Sequence, residues 1–217
     1  MKQSVFIAIF ILAGVCVFAQ NAVIERVTGT VEIKQPGEKV FKNANSGDKL
    51  FKETVISTGF KSFAIIKIGS TTITARPLTH LSLTEIQSIT EAETLNVNLQ
   101  AGRVRVDVKP PAGTKVTTTV NSPTATASVR GTSFEFDTDN LYVSEGTVSF
   151  SGNRGQNVYV SAGGSSRVEP SGVVRNPKDD RIASLMPPNP AGTSAGNNPV
   201  PNPAVAGIDF SIALEFK

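Results

Sequence analysis

The stretch VTTTVNSPTATASVRGTSFEFDTDNLYVSEGTVSF, residues 116–150, is built from short alternating segments separated by turn residues. Val116, Thr118 and Val120 occupy every second position, and Asn121-Ser122-Pro123 then interrupts them. Phe134 and Phe136 fall on one face with Glu135 and Asp137 on the other. Asp137-Thr138-Asp139-Asn140 makes a turn, Leu141 and Val143 resume, Glu145-Gly146 turns again, and Val148 and Phe150 finish. Alternation with period two, bounded by Gly, Pro, Asn and Asp, is the pattern of half-buried strands joined by hairpins.

Reading outward, the same pattern fills most of the chain. Towards the N-terminus, Val104, Val106 and Val108 oppose Arg103, Arg105, Asp107 and Lys109, and Leu95, Val97 and Leu99 oppose asparagines. Phe63, Ile65, Ile66 and Ile68 form the strongest apolar run. Its parity changes between Ile65 and Ile66, which predicts a bulge or a strand buried on both faces. Strands are also predicted over Val23–Val27 and Glu53–Thr58, and Glu85–Glu93 is the one internal stretch where a helical turn is expected. Towards the C-terminus, Val158 and Val160 predict one further strand, and Arg167-Val168 a last pairing. A turn glycine, one variable residue and a valine recur at Gly29-Thr30-Val31, Gly102-Arg103-Val104 and Gly146-Thr147-Val148. Their spacing is irregular, so they are a recurring turn rather than a fixed-period repeat.

The ends differ from this pattern. Residues 1–19 combine Lys2, an apolar run from Val5 to Phe18 and Val17-Phe18-Ala19 before Gln20, as in a secretory signal peptide. Cys16 could also be read as a lipobox cysteine, but Val15 before it fits lipoprotein processing poorly. Residues 20–175 make the β domain. Asn176-Pro177 opens a short helix over 176–186, 187–207 is a linker of Pro, Asn, Gly, Ala and Ser, and 208–217 alternates as a terminal strand with Ile208, Phe210, Ile212, Leu214 and Phe216 on one face.

Composition narrows the function. The 217 residues carry a net charge of +3; without Lys2, 20 basic and 18 acidic residues leave +2, interspersed along the chain. That does not suit nucleic acid or an anionic membrane as partner. The single cysteine lies in the leader, so no disulfide is expected in the mature chain. His80 is the only histidine, which leaves a His-based triad without an alternative and most zinc sites without ligands.

Several motifs together resemble the FecR domain family. Gly29-Thr30-Val31, Gly47-Asp48-Lys49-Leu50, Ile56-Ser57-Thr58-Gly59, Ser62-Phe63-Ala64 and Gly69-Ser70 are similar to its opening. Leu99-Gln100-Ala101-Gly102-Arg103-Val104 is similar to its L-x-x-G-x-V element. Ser122-Pro123-Thr124-Ala125 with Arg130-Gly131-Thr132-Ser133-Phe134 resembles its T-P-x-A … R-G-T-x-F hallmark, and Val143-Ser144-Glu145-Gly146-Thr147-Val148 its V-x-E-G-x-V close. The resemblance implies an all-β envelope domain, a β-solenoid or twisted jelly-roll-like stack of short strands, here followed by the Pro-rich linker and the C-terminal strand. Its best-known members relay a signal from an outer-membrane receptor to a cytoplasmic σ factor. A leader stands here in place of their anti-σ segment, so a direct hold on a σ factor is not expected.

The family-motif residues Gly29, Gly47, Gly69, Gly102, Arg130, Gly131, Thr132, Phe134, Glu145 and Gly146 are the candidate structural or binding positions. Arg130-Gly131-Thr132 is either a binding loop or a tight strand crossing. Asp137–Asn140 offers oxygens at alternate positions, as calcium sites do, yet it is also what a hairpin turn requires. Glu91 and Glu93 read as a solvated face, and Arg103 and Arg105 as an exposed face or a seat for an acidic partner. No catalytic set, cofactor or metal site is expected. The expectation is an exported, periplasmic or envelope, non-enzymatic module that binds an envelope protein or surface polymer. Signal relay with a membrane partner is the alternative, and residues 208–217 either fold back on the domain's own edge or are donated to another protein's sheet.

Overall fold

A computed structural model describes residues 22–89 and 92–175. The leader (1–19), the helix (176–186), the linker (187–207) and the terminal strand (208–217) predicted above lie outside the described residues, as does Glu91. The described residues form seventeen strands and no helix. In chain order they are β1 (Ala22–Thr28), β2 (Val31–Lys34), β3 (Lys42–Asn43), β4 (Lys49–Leu50), β5 (Val55–Thr58) and β6 (Phe63–Ile68). Next come β7 (Thr71–Ala75), β8 (His80–Ile89), β9 (Ala92–Ala101), β10 (Arg103–Val108), β11 (Lys115–Asn121) and β12 (Ala125–Val129). The last are β13 (Ser133–Asp137), β14 (Asn140–Glu145), β15 (Thr147–Gly152), β16 (Asn157–Ser161) and β17 (Ser165–Arg167).

The strands make two sheets. One has the order β17-β14-β13-β10-β7-β6-β1-β4, the other β16-β15-β12-β11-β9-β8-β5-β2-β3. Both orders follow the chain with little rearrangement, because the chain adds strands in ones and twos to alternate sheets. Neighbours are antiparallel except β11, which lies parallel to β9. That exception follows from the connection: β10, in the other sheet, intervenes and returns the chain in the same direction.

The longer strands turn their apolar sets inward. Val104, Val106, Phe134 and Phe136 from the first sheet meet Leu95, Val97, Val120, Val148 and Phe150 from the second in one buried cluster. Phe136 and Phe150 meet edge to face at 5.9 Å between centroids. Thr71 and Thr118, both buried, join their hydroxyls at 3.2 Å between the sheets. A pair of inward threonines is tolerated because each satisfies the other.

Three local predictions are corrected. The described part of Glu85–Glu93 is strand, not helix. It belongs to the paired β8 and β9, in which Ile86 faces Leu95 and Ser88 faces Glu93. A register shift between Leu83 and Glu85 changes the parity from Leu81 and Leu83 to Ile86, and that break hid the strand. The parity change at Ile65/Ile66 has a different cause from the one predicted: β6 alternates regularly with Ala64, Ile66 and Ile68 inward, and the bulge lies across from it in β1, between Ile24 and Arg26. Finally, β5 begins at Val55, because Glu53 takes φ 71° in the preceding turn.

Candidate functional site

The recurring G-x-V turns form three comparable corners. Gly29, Gly102 and Gly146 all have positive φ, and a Cβ on each would collide with a buried hydroxyl residue: Ser62, Thr79 and Thr132 respectively. At the first corner the Ser62 hydroxyl accepts the N–H of Thr30 at 2.8 Å. At the second, Thr79 Oγ1 accepts the Arg103 N–H at 3.1 Å and donates to the Arg103 carbonyl at 2.9 Å. In both, the hydroxyl holds the residue that follows the glycine.

The third corner departs from this. The Thr132 methyl, not its hydroxyl, faces Gly146, 2.5 Å from where a Cβ would stand. Thr132 is 3% exposed, and its hydroxyl is the one buried side-chain polar atom among the described residues without a hydrogen-bond partner. Buried hydroxyls ordinarily find partners, so an isolated exception marks the place for attention. Beside it a cleft of about 580 Å³ is lined by Ser128, Arg130, Gly131, Thr147, Ser149 and Tyr159, among others. Arg130 is exposed and bonds no carboxylate among the described residues. Tyr159 is 72% exposed.

The remaining motif residues take structural places. Gly47, Gly69 and Gly131 also adopt positive φ; Gly131 sits against Pro110, and Gly47 has open space where a side chain would be. Phe134 is fully buried, and Glu145 is exposed opposite Ser133. The structure therefore brings Arg130, Gly131, Thr132 and Gly146 together and leaves Gly29, Gly47, Gly69 and Gly102 at other turns.

The outer faces of the two sheets differ in chemistry. On the first, Arg76 pairs with Glu135, Arg103 with Asp137 at 3.3 Å, and Arg105 with Asp107 at 3.2 Å. The Asp107 carboxylate raises the Arg105 pKa above its usual range. Arg103 and Arg105 are thus partnered within the domain rather than left for an acidic ligand. On the second, the register aligns Thr94, Asn96 and Asn98 with Thr117, Thr119 and Asn121. Those continue to Ser128 and Thr126, then Ser149 and Ser151, then Tyr159 and Asn157. Alternation in the sequence places these residues opposite the core, but only the register shows that they form one neutral, hydrogen-bonding surface.

Asp137–Asn140 is built as a turn. Asp137 Oδ1 accepts the N–H groups of Asp139 at 3.0 Å and Asn140 at 2.7 Å. Burial pushes the Asp137 carboxyl up, but these donors, the Asn140 amide and Arg103 together outweigh it and hold it below its ordinary value. Glu93 is likewise committed: its carboxylate accepts the Ser70 N–H at 3.0 Å, so it is not a free solvated acid. His80 opens β8 with its ring 6.2 Å from Phe41. Among the described residues, no three His, Cys, Asp or Glu side chains are grouped to hold a metal ion.

Comparison with known proteins adds a family match over part of the chain. Residues 54–155 match the model of the FecR protein family. This stretch is a FecR domain. It contains the second and third corners, whereas Gly29 and Gly47 precede the matched residues of the FecR domain. Two crystal structures of a candidate anti-sigma factor from Parabacteroides distasonis ATCC 8503 are similar at 16% identity, with TM-scores of 0.46 and 0.45. Each match covers 56% of this chain and 59% of that protein, which is less than two thirds of its length. No curated protein matches the chain.

Proposed function

We propose that the chain is an exported, non-enzymatic binding module of the cell envelope, which holds a protein or surface polymer at the third corner and the neutral face beside it. The observation that carries this reading is the break in the corner pattern: two hydroxyls secure their own backbone, and the third is unpartnered next to a cleft holding an uncommitted arginine. Arg130 supplies a charge-assisted donor, Ser128, Thr147 and Ser149 supply hydroxyls, and Tyr159 offers an apolar ring with a polar tip. In this reading the stack is solenoid-like, and the chain-ordered growth of both sheets supports it. Residues 1–19 act as the export signal in this reading, and residues 208–217 are available for donation to a partner's sheet.

The test is retention of envelope components from fractionated cells at physiological salt, by the purified wild-type chain and by Arg130→Ala. Specific retention by the wild type, lowered at least tenfold in Arg130→Ala, is the expected outcome. A chain that retains no envelope component removes the proposal, and equal retention by both moves the site away from the corner.

Membership of residues 54–155 in the FecR family favours a second reading, signal relay with a membrane partner. Copurification with an inner-membrane sensor that is lost on deleting residues 200–217 supports it, and an unchanged partner list counts against it.

A further inference from the structure

Of the four sheet edges, three are guarded. β3 and β4 are two residues long and carry Lys42 and Lys49. β17 is three residues long, carries Arg167, and is covered by the following chain: the Arg175 N–H bonds the Arg167 carbonyl at 2.8 Å, and Val168 bridges Val174. Short length, lysine and a covering segment are the usual means of preventing edge-to-edge association. Among the described residues, β16 has none of them. Asn157-Val158-Tyr159-Val160-Ser161 is five residues without charge, proline or a register shift, and it ends its sheet.

The direction of its free backbone groups follows from its neighbours. The Ala162 N–H bonds the Gly146 carbonyl at 2.9 Å and the Gly152 N–H bonds the Gln156 carbonyl at 3.4 Å. Those pairs share parity with Val160–Val148 and Val158–Phe150, so Val158 and Val160 direct their N–H and C=O groups at β15. Asn157, Tyr159 and Ser161 therefore direct theirs outward. The Ser161 carbonyl already receives the Gly164 N–H at 2.9 Å.

We infer that β16 is a dimerisation edge that pairs antiparallel with β16 of a second copy about Tyr159. The strand is nearly palindromic: in that register Tyr159 meets its own counterpart, Val158 meets Val160, and Asn157 meets Ser161. The outward groups of both strands fall in phase and supply roughly four main-chain hydrogen bonds even with the Ser161 carbonyl engaged. A two-fold axis perpendicular to the sheet keeps inward residues inward, so the partly exposed Val158 gains cover on its core side. The two Tyr159 rings become neighbours on the outer face. A strand without charge meets no repulsion from its copy, although the whole chain is net positive.

The chain has two tyrosines, Tyr142 and Tyr159, which permits a direct test. Photo-oxidative dityrosine coupling of the purified mature chain should yield a linked dimer in the wild type and in Tyr142→Phe, and none in Tyr159→Phe. Tyr159→Pro removes an outward N–H that the fold does not use, so its far-UV circular dichroism should match the wild type. Its dimer, followed by sedimentation, should be weakened at least tenfold. The inference is overturned if the wild type sediments as a monomer at all concentrations, if coupling runs through Tyr142, or if a folded Tyr159→Pro dimerises as the wild type does.

Discussion

Ser62, Thr79 and Thr132 stand in the same relation to three turn glycines, yet only the first two spend their hydroxyls on the backbone. Replacing each threonine by valine keeps the shape and deletes the hydroxyl, which separates packing from hydrogen bonding. Thr79→Val removes the acceptor of the Arg103 N–H, while the Arg103 carbonyl keeps the Arg76 N–H, and is expected to cost about 1–3 kcal/mol. Thr132→Val removes a hydroxyl that bonds nothing and is expected to be neutral or slightly stabilising, since an unpaired buried polar group is itself a cost. Urea denaturation of the two variants checks both, and a large loss in Thr132→Val would reveal a partner for that hydroxyl. The glycines of these corners could be read from the recurring G-x-V. Their hydroxyl partners could not, because each lies far along the chain and is met only when strands of one sheet are paired.

Among the elements, the β13–β14 turn shows how a motif with two readings resolves. Asp137 receives two backbone N–H groups, and its carboxyl is held below the ordinary range. The sign follows: a native carboxyl that binds its proton less readily than the unfolded one stabilises the fold above the unfolded pKa. That contribution is lost as pH falls through the native value, so the loss occurs below about pH 4. Asp137→Ala is expected to cost about 1–2 kcal/mol at pH 7. The difference from wild type should shrink in denaturation curves taken progressively below pH 4. Most strands were legible as elements because one face is buried and the other wet, as in Val104-Arg105-Val106-Asp107-Val108. Reading failed where a bulge shifted the parity, as at Leu83/Glu85, since an extra residue imitates the loss of period-two order.

For the whole molecule, the decisive relation is the meeting of two inner faces. Phe136 comes from one sheet and Phe150 from the other, and their edge-to-face contact spans the core. Combining Phe136→Leu with Phe150→Leu should cost less than the sum of the single losses, by a coupling energy of about 0.5–1.5 kcal/mol. Additive losses in a thermal or urea double-mutant cycle would mean that the sheets stabilise themselves independently. The sequence by itself determined an all-β chain with its inward and outward residues assigned, because burial on one face imposes a period that survives without any knowledge of partners. Only the tertiary structure decided that the outward Ser, Thr and Asn residues of β9, β11, β12, β15 and β16 form one neutral surface, while Arg76, Arg103 and Arg105 pair with carboxylates on the other sheet. It alone placed the Thr132 hydroxyl beside Arg130 and left β16 as the unguarded edge among the described residues. Those properties depend on which strands are neighbours and in what register, and neighbours are set by the crossing of the chain between sheets, which no local period records.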